Sequence, residues 1–508
     1  MSNANLYALL ASKFPADEKA VFLESPDGKV MRYGDLASGS GRMADLLRAS
    51  GVEPGDRVVV QVEKSAEAVA LYLACLRVGA IYIPLNTAYT SAELDYFVGD
   101  AKPRVLVCAS HVLNELQGIA ETHGVARVLS LGADGTGSLM SALVDTVVDD
   151  NVAQCAGSDI AAILYTSGTT GRSKGAMLSH DNLASNAVAL HKMWGFVPGD
   201  VLLHALPIYH VHGLFVALHC ALLNGSKVWF LPKFDIETVL ALLPKSTVMM
   251  GVPTFYVRLL GDQRFDRSLS EHMRLFVAGS APLLAETFSE FEDRTGQRIL
   301  ERYGMTEAGM ITSNPYNSDN GARIAGSVGY PLHGVEARVC DDGGVELPRG
   351  EPGTLEIKGP NVFSGYWQNP EKTALEFRDD GFFITGDVSK MDEDGRISIV
   401  GRAKDLIISG GFNVYPKEIE TEIDEIEGVV ESAVIGIAHP DFGEGVVAVV
   451  VKQAGVMVEA ADIIAALKGR LAKFKQPKKV FFVDNLPRNT MGKVQKKALR
   501  EEYAGLFG

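Results

Sequence analysis

The sequence predicts an α/β fold in which parallel sheets are covered by helices. Strand and helix signals alternate over residues 1 to about 160 and again from 200 to 320. Such alternation marks parallel strands joined by helical crossovers. At 508 residues the chain is too long for one core, so several domains or subdomains are expected. Apolar residues make up 47% and charged residues 22%, a globular balance that leaves enough apolar side chain to fill those cores.

Each element has its own local cause. Residues 57–61 (Arg-Val-Val-Val-Gln) read as a strand, 66–78 as a helix and 80–84 as a strand. Thr90-Ser-Ala-Glu93 is a capping box opening a helix over 94–98, and 104–108 is a third strand. The apolar run 160–165 suits a buried strand, and 183–193 reads as a helix. Further strands follow at 201–206, 227–231, 248–252 and 274–278. From about 325 to 400, short strands and many glycines predict a small distorted β-barrel flank. Gly39-Ser-Gly-Arg-Met-Ala44 fits the dinucleotide pattern GxGxxA, but it lies inside the helical run 33–49 with no strand before it. It reads as close helix packing.

Composition excludes several classes. Net charge is −15, from 48 basic and 63 acidic residues, which argues against nucleic acid or an anionic membrane as partner. The five cysteines (Cys75, Cys108, Cys155, Cys220, Cys340) are far apart, odd in number and mostly in apolar surroundings. They read as reduced core residues of a cytoplasmic protein, with no CxxC or Cys/His cluster to hold zinc. The first ten residues lack the basic region and apolar core of a signal peptide. The apolar run 214–223 is interrupted by His219 and falls short of the ~20 residues a membrane helix needs, so no membrane span is expected.

The chemistry gathers in turns that end predicted strands, where ligands sit in doubly wound sheets. After the strand 160–165 comes Thr166-Ser167-Gly168-Thr169-Thr170-Gly171-Arg-Ser-Lys174-Gly175. Glycines admit a close backbone, hydroxyls and N–H groups bind oxygens, and the lysine adds charge, so a strand–loop–helix site for a polyphosphate is expected. It is not a Walker A loop, which ends Gly-Lys-Ser/Thr. Next are Leu206-Pro-Ile-Tyr-His210-Val-His212-Gly213 and Gly279-Ser280-Ala281-Pro282, the latter after a strand opened by Arg274. An arginine entering a buried strand needs an anionic partner, either a ligand or a structural acid. Glu301-Arg302-Tyr303-Gly304-Met305-Thr306-Glu307 and Ile384-Thr-Gly-Asp387 follow. Taken alone, Glu307 reads as a solvated loop acid, whereas Asp387, following a glycine, could accept two ribose hydroxyls. The tail from 468 to 500 has eleven Lys/Arg and one acid, Asp484, and includes Gly492-Lys493.

In order and spacing across residues 165–496, these motifs resemble the adenylate-forming superfamily, which includes acyl-CoA synthetases, firefly luciferase and peptide-synthetase adenylation domains. One departure is Ser173, where the family usually has proline. The resemblance implies a large N-terminal domain (1–401) of two doubly wound sheets with the β-barrel flank, a hinge at 402–405 and a small mobile C-terminal α+β domain (406–508). It implies that Thr166, Ser167, Gly168, Thr169, Thr170, Gly171 and Lys174 bind phosphates. Gly279, Ser280, Ala281 and Pro282 would lie along the adenine, with Glu301, Arg302, Tyr303, Gly304 and Met305 beside the nucleotide. Thr306 would touch the phosphates, Glu307 would hold Mg²⁺, and Asp387 and Arg402 would take the ribose. Lys404 would be the hinge residue, Gly410 and Gly411 would face the CoA thiol, and Lys493 would be the catalytic lysine. ATP and CoA are the implied co-substrates.

For the acid, the stretches 164–186, 206–217 and 301–316 resemble bacterial malonyl-CoA synthetases. With His210 and Met305, Arg274 is expected to clamp a second carboxylate, which makes malonate the expected substrate. The resemblance leaves open a short-chain or methylmalonyl acyl-CoA synthetase and an adenylation enzyme that loads a carrier protein. Lys493 is also a candidate for a lysine acetyltransferase and deacetylase, since acetylation would remove its charge.

Overall fold

The computed structural model describes residues 3–508 apart from 145, 167–172, 403–404, 410–411, 441, 469, 472 and 490–491, with the backbone alone at 402, 412 and 413. The expectations for Ser167, Gly168, Thr169, Thr170, Gly171, Lys404, Gly410 and Gly411, and for the Arg402 side chain, fall outside the described residues.

Two mixed sheets form most of the large N-terminal domain. One has nine strands, with Leu300–Met305, Leu275–Ala278, Val248–Gly251, Val201–His204, Lys227–Phe230 and Val21–Glu24 parallel and adjacent in that order. The other has six: Arg127–Ser130, Val105–Cys108, Arg57–Gln61, Ile81–Pro84, Ile160–Thr166 and Lys174–Ser179, parallel except for the last pair. Val105–Cys108 and Leu275–Ala278 are buried along their whole length. That is expected of parallel strands with helices on both faces, and explains why they read as unbroken apolar runs. The helix Ala66–Val78 starts where the Ser65 side chain accepts from the Ala68 N–H, and stops at Gly79 with φ +74°.

The flank at 325–400 is a four-stranded antiparallel sheet, Glu336–Cys340, Gly353–Lys358, Phe383–Met391 and Ile397–Arg402. A bridge between Gly329 and Ile397 joins it to the nine-stranded side. The small C-terminal domain has its own sheet, led by Val429–His439 and Gly443–Lys452. Alternate residues feed two cores: Val434, Val446, Ala448 and Val450 pack with Ile419, Ile423, Ile463 and Leu467. Ala433, Ile435, Val447 and Val449 pack with Leu486 and Leu499 on the other face. All five cysteines are buried and free, and among the described residues no helix is long and apolar enough to cross a membrane.

Three sequence expectations change. The helix begun by the Thr90/Glu93 capping box runs Ser91–Ala101 rather than stopping at 98, because Leu94, Phe97, Val98 and Ala101 continue one buried stripe. The phosphate-loop region is a hairpin, with Ile160–Thr166 paired antiparallel to Lys174–Ser179 and Thr166 opposite Lys174. The next helix, His180–Met193, begins only after the second strand, under its own Ser179/Asn182 capping box, so Lys174–Ser179 separates its N-terminus from the loop in the chain.

The third change concerns Arg274. It stands at the amino end of Leu275–Ala278, and four residues at ~3.3 Å each put it roughly 13 Å from the carboxyl edge. Its guanidinium is bidentate to Asp200, with Nε 2.6 Å from Oδ1, and its Nη1 donates to the Trp194 carbonyl at 3.1 Å. Thr247 donates to the same Asp200 carboxylate at 2.8 Å, so the starts of three neighbouring strands are tied by one buried acid. The rings of Phe196 and Tyr316 lie 5.3 and 5.2 Å from the guanidinium. Arg274 is therefore a structural ion pair and not an acid clamp. Arg274→Met should lower unfolding stability by about 3–5 kcal/mol in urea titration, since it strands a buried carboxylate, and the Arg274→Met/Asp200→Asn double variant should recover much of that loss. An unchanged urea midpoint in the single variant would contradict this assignment.

Candidate active site

Strands ending at His204, Gly251, Ala278 and Met305 are neighbours, so the segments that follow them converge on one edge of the nine-stranded sheet. Leu300–Met305 turns back as Gly309–Ser313, and Thr306 and Glu307 sit at the tip of that hairpin. The tip is pinned from outside. Asn186 exchanges bonds with both the carbonyl (2.7 Å) and the N–H (3.0 Å) of Met310. Asn361 donates to the Ala308 carbonyl at 2.8 Å, and the Phe363 N–H to the Glu307 carbonyl at 2.7 Å. A Cβ at Gly304 would run into the Gly309 carbonyl, which is why the turn needs a glycine there.

Glu307 is buried, and its Oε1 accepts from the Thr166 hydroxyl at 3.3 Å and the Tyr366 hydroxyl at 3.2 Å. Tyr366 is also 2.6 Å from Glu376 Oε2. One phenolic proton cannot serve two carboxylates. Burial, reinforced by the charge of Glu376, pushes the Glu307 pKa up, so this carboxyl favours a proton or a cation beside it. Lys174 lies 3.4 Å from Glu376 Oε1 and 4.2 Å from the Tyr366 ring centre, and Lys372 is 2.6 Å from the same Glu376 oxygen. Tyr366, Lys372 and Glu376 were not singled out from the sequence. Lys174 and Glu376 are 202 positions apart, and no local pattern announces such a pair.

A second group lies deeper. Arg302 is 3% exposed, and its Nε and Nη2 have no hydrogen-bond partner. Among the described residues no acid forms an ion pair with it. Its guanidinium lies against Gly279, where a Cβ would collide with it. Beside it is His212, whose Nδ1 is 3.3 Å from the Ser280 hydroxyl and whose Nε2 is unpartnered. Ser280 has φ +72°, an uncommon setting for a side chain that marks a constrained turn. His210 also has an unpartnered Nε2. Burial pushes its pKa down to about 4, with the charge of Lys493 adding to the effect. His212 is driven well below the usual histidine range, first by burial and then by Arg302. Burial lowers Arg302 itself to about 9, so at neutral pH it remains charged beside the neutral imidazole of His212.

The other sequence candidates fall around these groups. Thr306 and His210 line one small enclosed space with Tyr89, Leu164, Tyr165 and Tyr209. Gly279 is buried, Ser280 and Ala281 are half-buried, and Pro282 is exposed at the rim. Asp387 is buried on the strand Phe383–Met391, and the Tyr303 hydroxyl donates to its Oδ2 at 2.5 Å. Glu301 accepts from the Gly326 N–H at 3.3 Å, and burial pushes its pKa up to about 8. Met305 is half-buried against the main core. Arg274 stays outside, at the opposite edge of the sheet.

Family models match two segments: the AMP-binding enzyme model over residues 10–367 and the AMP-binding enzyme C-terminal domain model over 418–493. Among solved structures, ATP-bound MatB from Rhodopseudomonas palustris is 56% identical, covers 100% of both chains and superposes with a TM-score of 0.97. Apo MatB from the same organism has the same identity and coverage, with a TM-score of 0.86. A malonate–CoA ligase of Arabidopsis thaliana is 33% identical over 94% of this chain and 85% of its own length. A feruloyl-CoA synthase of an Amycolatopsis species is 35% identical over 94% of each.

The depressed histidine has a measurable consequence. The folded chain keeps His210 neutral down to about pH 4, whereas the unfolded chain protonates it near 6.5. The unfolded state thus binds more protons in that window, and this contribution to stability is lost as pH falls from about 6.5 toward 4. The ring resonances of His210 should accordingly show no titration between pH 5.5 and 8 by NMR. A midpoint near 6.5 would contradict the burial described here.

Proposed function

This chain belongs to the AMP-binding enzyme family, and on that premise we propose that it joins malonate to coenzyme A at the expense of ATP, through a malonyl-adenylate. The observation that carries the choice of acid is Arg302. A charged guanidinium buried beside the neutral His212 calls for an anion, and the second carboxylate of a short diacid supplies one. A monocarboxylic acid would leave that charge unpaired. The malonate–CoA ligases of Arabidopsis thaliana and of mouse mitochondria, 33% and 34% identical, support the same substrate.

In the first half-reaction the free carboxylate of malonate attacks the α-phosphorus of ATP. An oxygen–phosphorus bond forms, and the bond to pyrophosphate breaks. Lys493, close enough to depress the His210 pKa, places its charge over the reacting carboxylate and phosphate. Lys174 exchanges Glu376 for the outgoing phosphates, and Asp387 with Tyr303 holds the ribose. Glu307 is the ligand proposed for Mg²⁺: a single buried carboxylate that favours a neighbouring cation fits an ion whose remaining ligands are phosphates and water. Bound there, Mg²⁺ would neutralise phosphate charge.

In the second half-reaction the CoA sulfur attacks the acyl carbon, and AMP leaves with the bonding pair. The two steps need different groups at one place, so the division at 1–401, a hinge over 402–405 centred on Lys404 and a lid at 406–508 are part of the proposal. Rotation would withdraw Lys493 and bring Gly410 and Gly411 to the thiol, with Arg402 at the ribose. Acetylation of Lys493 would remove the charge the first step uses, which makes it a control point for an acetyltransferase and deacetylase. Reduced, buried cysteines suit a cytoplasmic location.

AMP release should be measured with Mg²⁺-ATP and CoA against malonate, methylmalonate, succinate, acetate and a long-chain fatty acid. Malonate should lead, and Arg302→Met should cut its kcat/KM by about two to three powers of ten while Arg274→Met leaves KM for malonate unchanged. Turnover led by acetate or a fatty acid, indifferent to Arg302, would refute the diacid reading. Lys493→Ala should slow adenylate formation by roughly 10²–10³-fold and leave thioester formation from supplied malonyl-adenylate near the wild-type rate.

A further inference from the structure

Lys64 follows the strand Arg57–Gln61 of the six-stranded sheet, yet its ammonium reaches into the nine-stranded one. It lies 2.7 Å from His204 Nδ1, 3.0 Å from the His204 carbonyl and 2.6 Å from the Leu231 carbonyl, with the Phe230 ring centre at 4.3 Å. Among the described residues it has no acid partner. His204 is buried at the carboxyl end of Val201–His204, and its Nε2 is 3.0 Å from the Gly213 carbonyl.

These contacts settle the protons. The Gly213 carbonyl can only accept, so His204 carries its proton on Nε2. Protonation of both nitrogens is opposed by burial and by Lys64. Nδ1 therefore offers a lone pair, and Lys64 must donate to it. Burial drives the Lys64 pKa well below the usual lysine range, and either the amine or the ammonium has an N–H for this bond.

The recipient of this relay is unusual. Residues His212–Leu218 form a π-helix, all seven buried, and it opens on the histidine that stands beside Arg302. π-Turns are rare and concentrate at functional sites, and a side chain bonded to a first-turn carbonyl competes with the ordinary i→i+4 ladder. Here the His204 imidazole is that competitor. The preceding loop has no slack: a Cβ at Gly213 would collide with the Pro207 carbonyl.

We propose that Lys64 is a positioning residue for the acid pocket, acting through His204 on the Gly213 carbonyl to hold the π-wound turn that presents His212. The inference rests on the malonate–CoA ligase reading for the name of the acid, but not for the relay. Without the ammonium, His204 loses the donor that keeps Nδ1 unprotonated. In the other tautomer an Nε2 lone pair would face the Gly213 oxygen, and the turn would shift.

Two measurements test it together. In the native enzyme, ¹⁵N NMR of the histidine rings should find His204 as the neutral Nε2–H tautomer from pH 6 to 8, and an Nδ1–H or doubly protonated ring would overturn the relay. In steady-state kinetics, Lys64→Met and His204→Leu should each raise KM for malonate about tenfold or more, with KM for ATP within twofold of wild type. His204→Gln, whose amide can accept from Lys64 and donate to Gly213, should restore KM for malonate to within about threefold. Unchanged malonate KM, equal rises in both KM values, or no recovery with glutamine would each overturn the proposal. If Lys64→Met does not fold, the native spectrum and the His204 pair still decide. If wild-type enzyme turns over a different acid best, the diacid reading fails, and the same variants are read on the KM of that acid.

Discussion

Arg302 places a positive charge inside the nine-stranded sheet with no acid among the described residues to pair it, and its surroundings answer to that charge. Gly279 has no side chain because the guanidinium lies against its α-carbon. His210 and His212 stay neutral because burial and nearby cations both oppose a second and third positive charge. Two cations and two neutral imidazoles leave a site that is electrostatically incomplete until an anion arrives. Selectivity then follows from a difference of affinities. On the proposed reading, an acid with a second carboxylate would complete the ion pair, and one without it would leave a buried charge stranded.

Around Lys174 the opposite rule holds, since its charge already meets a carboxylate. Lys174 and Lys372 face Glu376, and Tyr366 spans Glu376 and Glu307. On the proposed reading, phosphate would compete with Glu376 for Lys174, whereas a diacid would meet no rival for Arg302 among the described residues. These groups come from three sheets: the hairpin of the six-stranded sheet brings Thr166 and Lys174, the nine-stranded sheet brings Thr306 and Glu307, and the flank brings Asp387 with Tyr366 and Glu376 close by. Asn186 and Asn361 bolt the central hairpin tip to its neighbours, so the carboxylate is held by paired backbone and not by a free loop.

Much of this was legible before any coordinates. Alternating apolar runs gave the parallel sheets, because strands covered on both faces need unbroken apolar stretches. The turns with chemistry were found from their glycines and hydroxyls, since only such residues let a backbone approach phosphate, and the order of the motifs named the family. The hairpin at Thr166 and Lys174 was misjudged as strand–loop–helix because Lys-Gly-Ala-Met-Leu-Ser is as compatible with a strand as with a lead-in to the helix at His180.

The sequence by itself therefore determined the elements, the strand-end sites and the family, all of which depend on neighbours within a few positions. Only tertiary structure separated the arginine that an acid already pairs, Arg274, from the one that no described acid pairs, Arg302. Arg274 precedes one strand and Arg302 lies inside the next, and composition cannot separate their roles. Chain direction separates them: Arg274 enters its strand at the edge where Asp200 waits, 74 residues away in sequence, and Arg302 lies on the adjacent strand against Gly279 and His212. The partners of Lys174 and Lys64 are likewise 202 and 140 positions distant. A charge buried in a protein is defined by what the fold brings to it, and that information is spread over the whole chain.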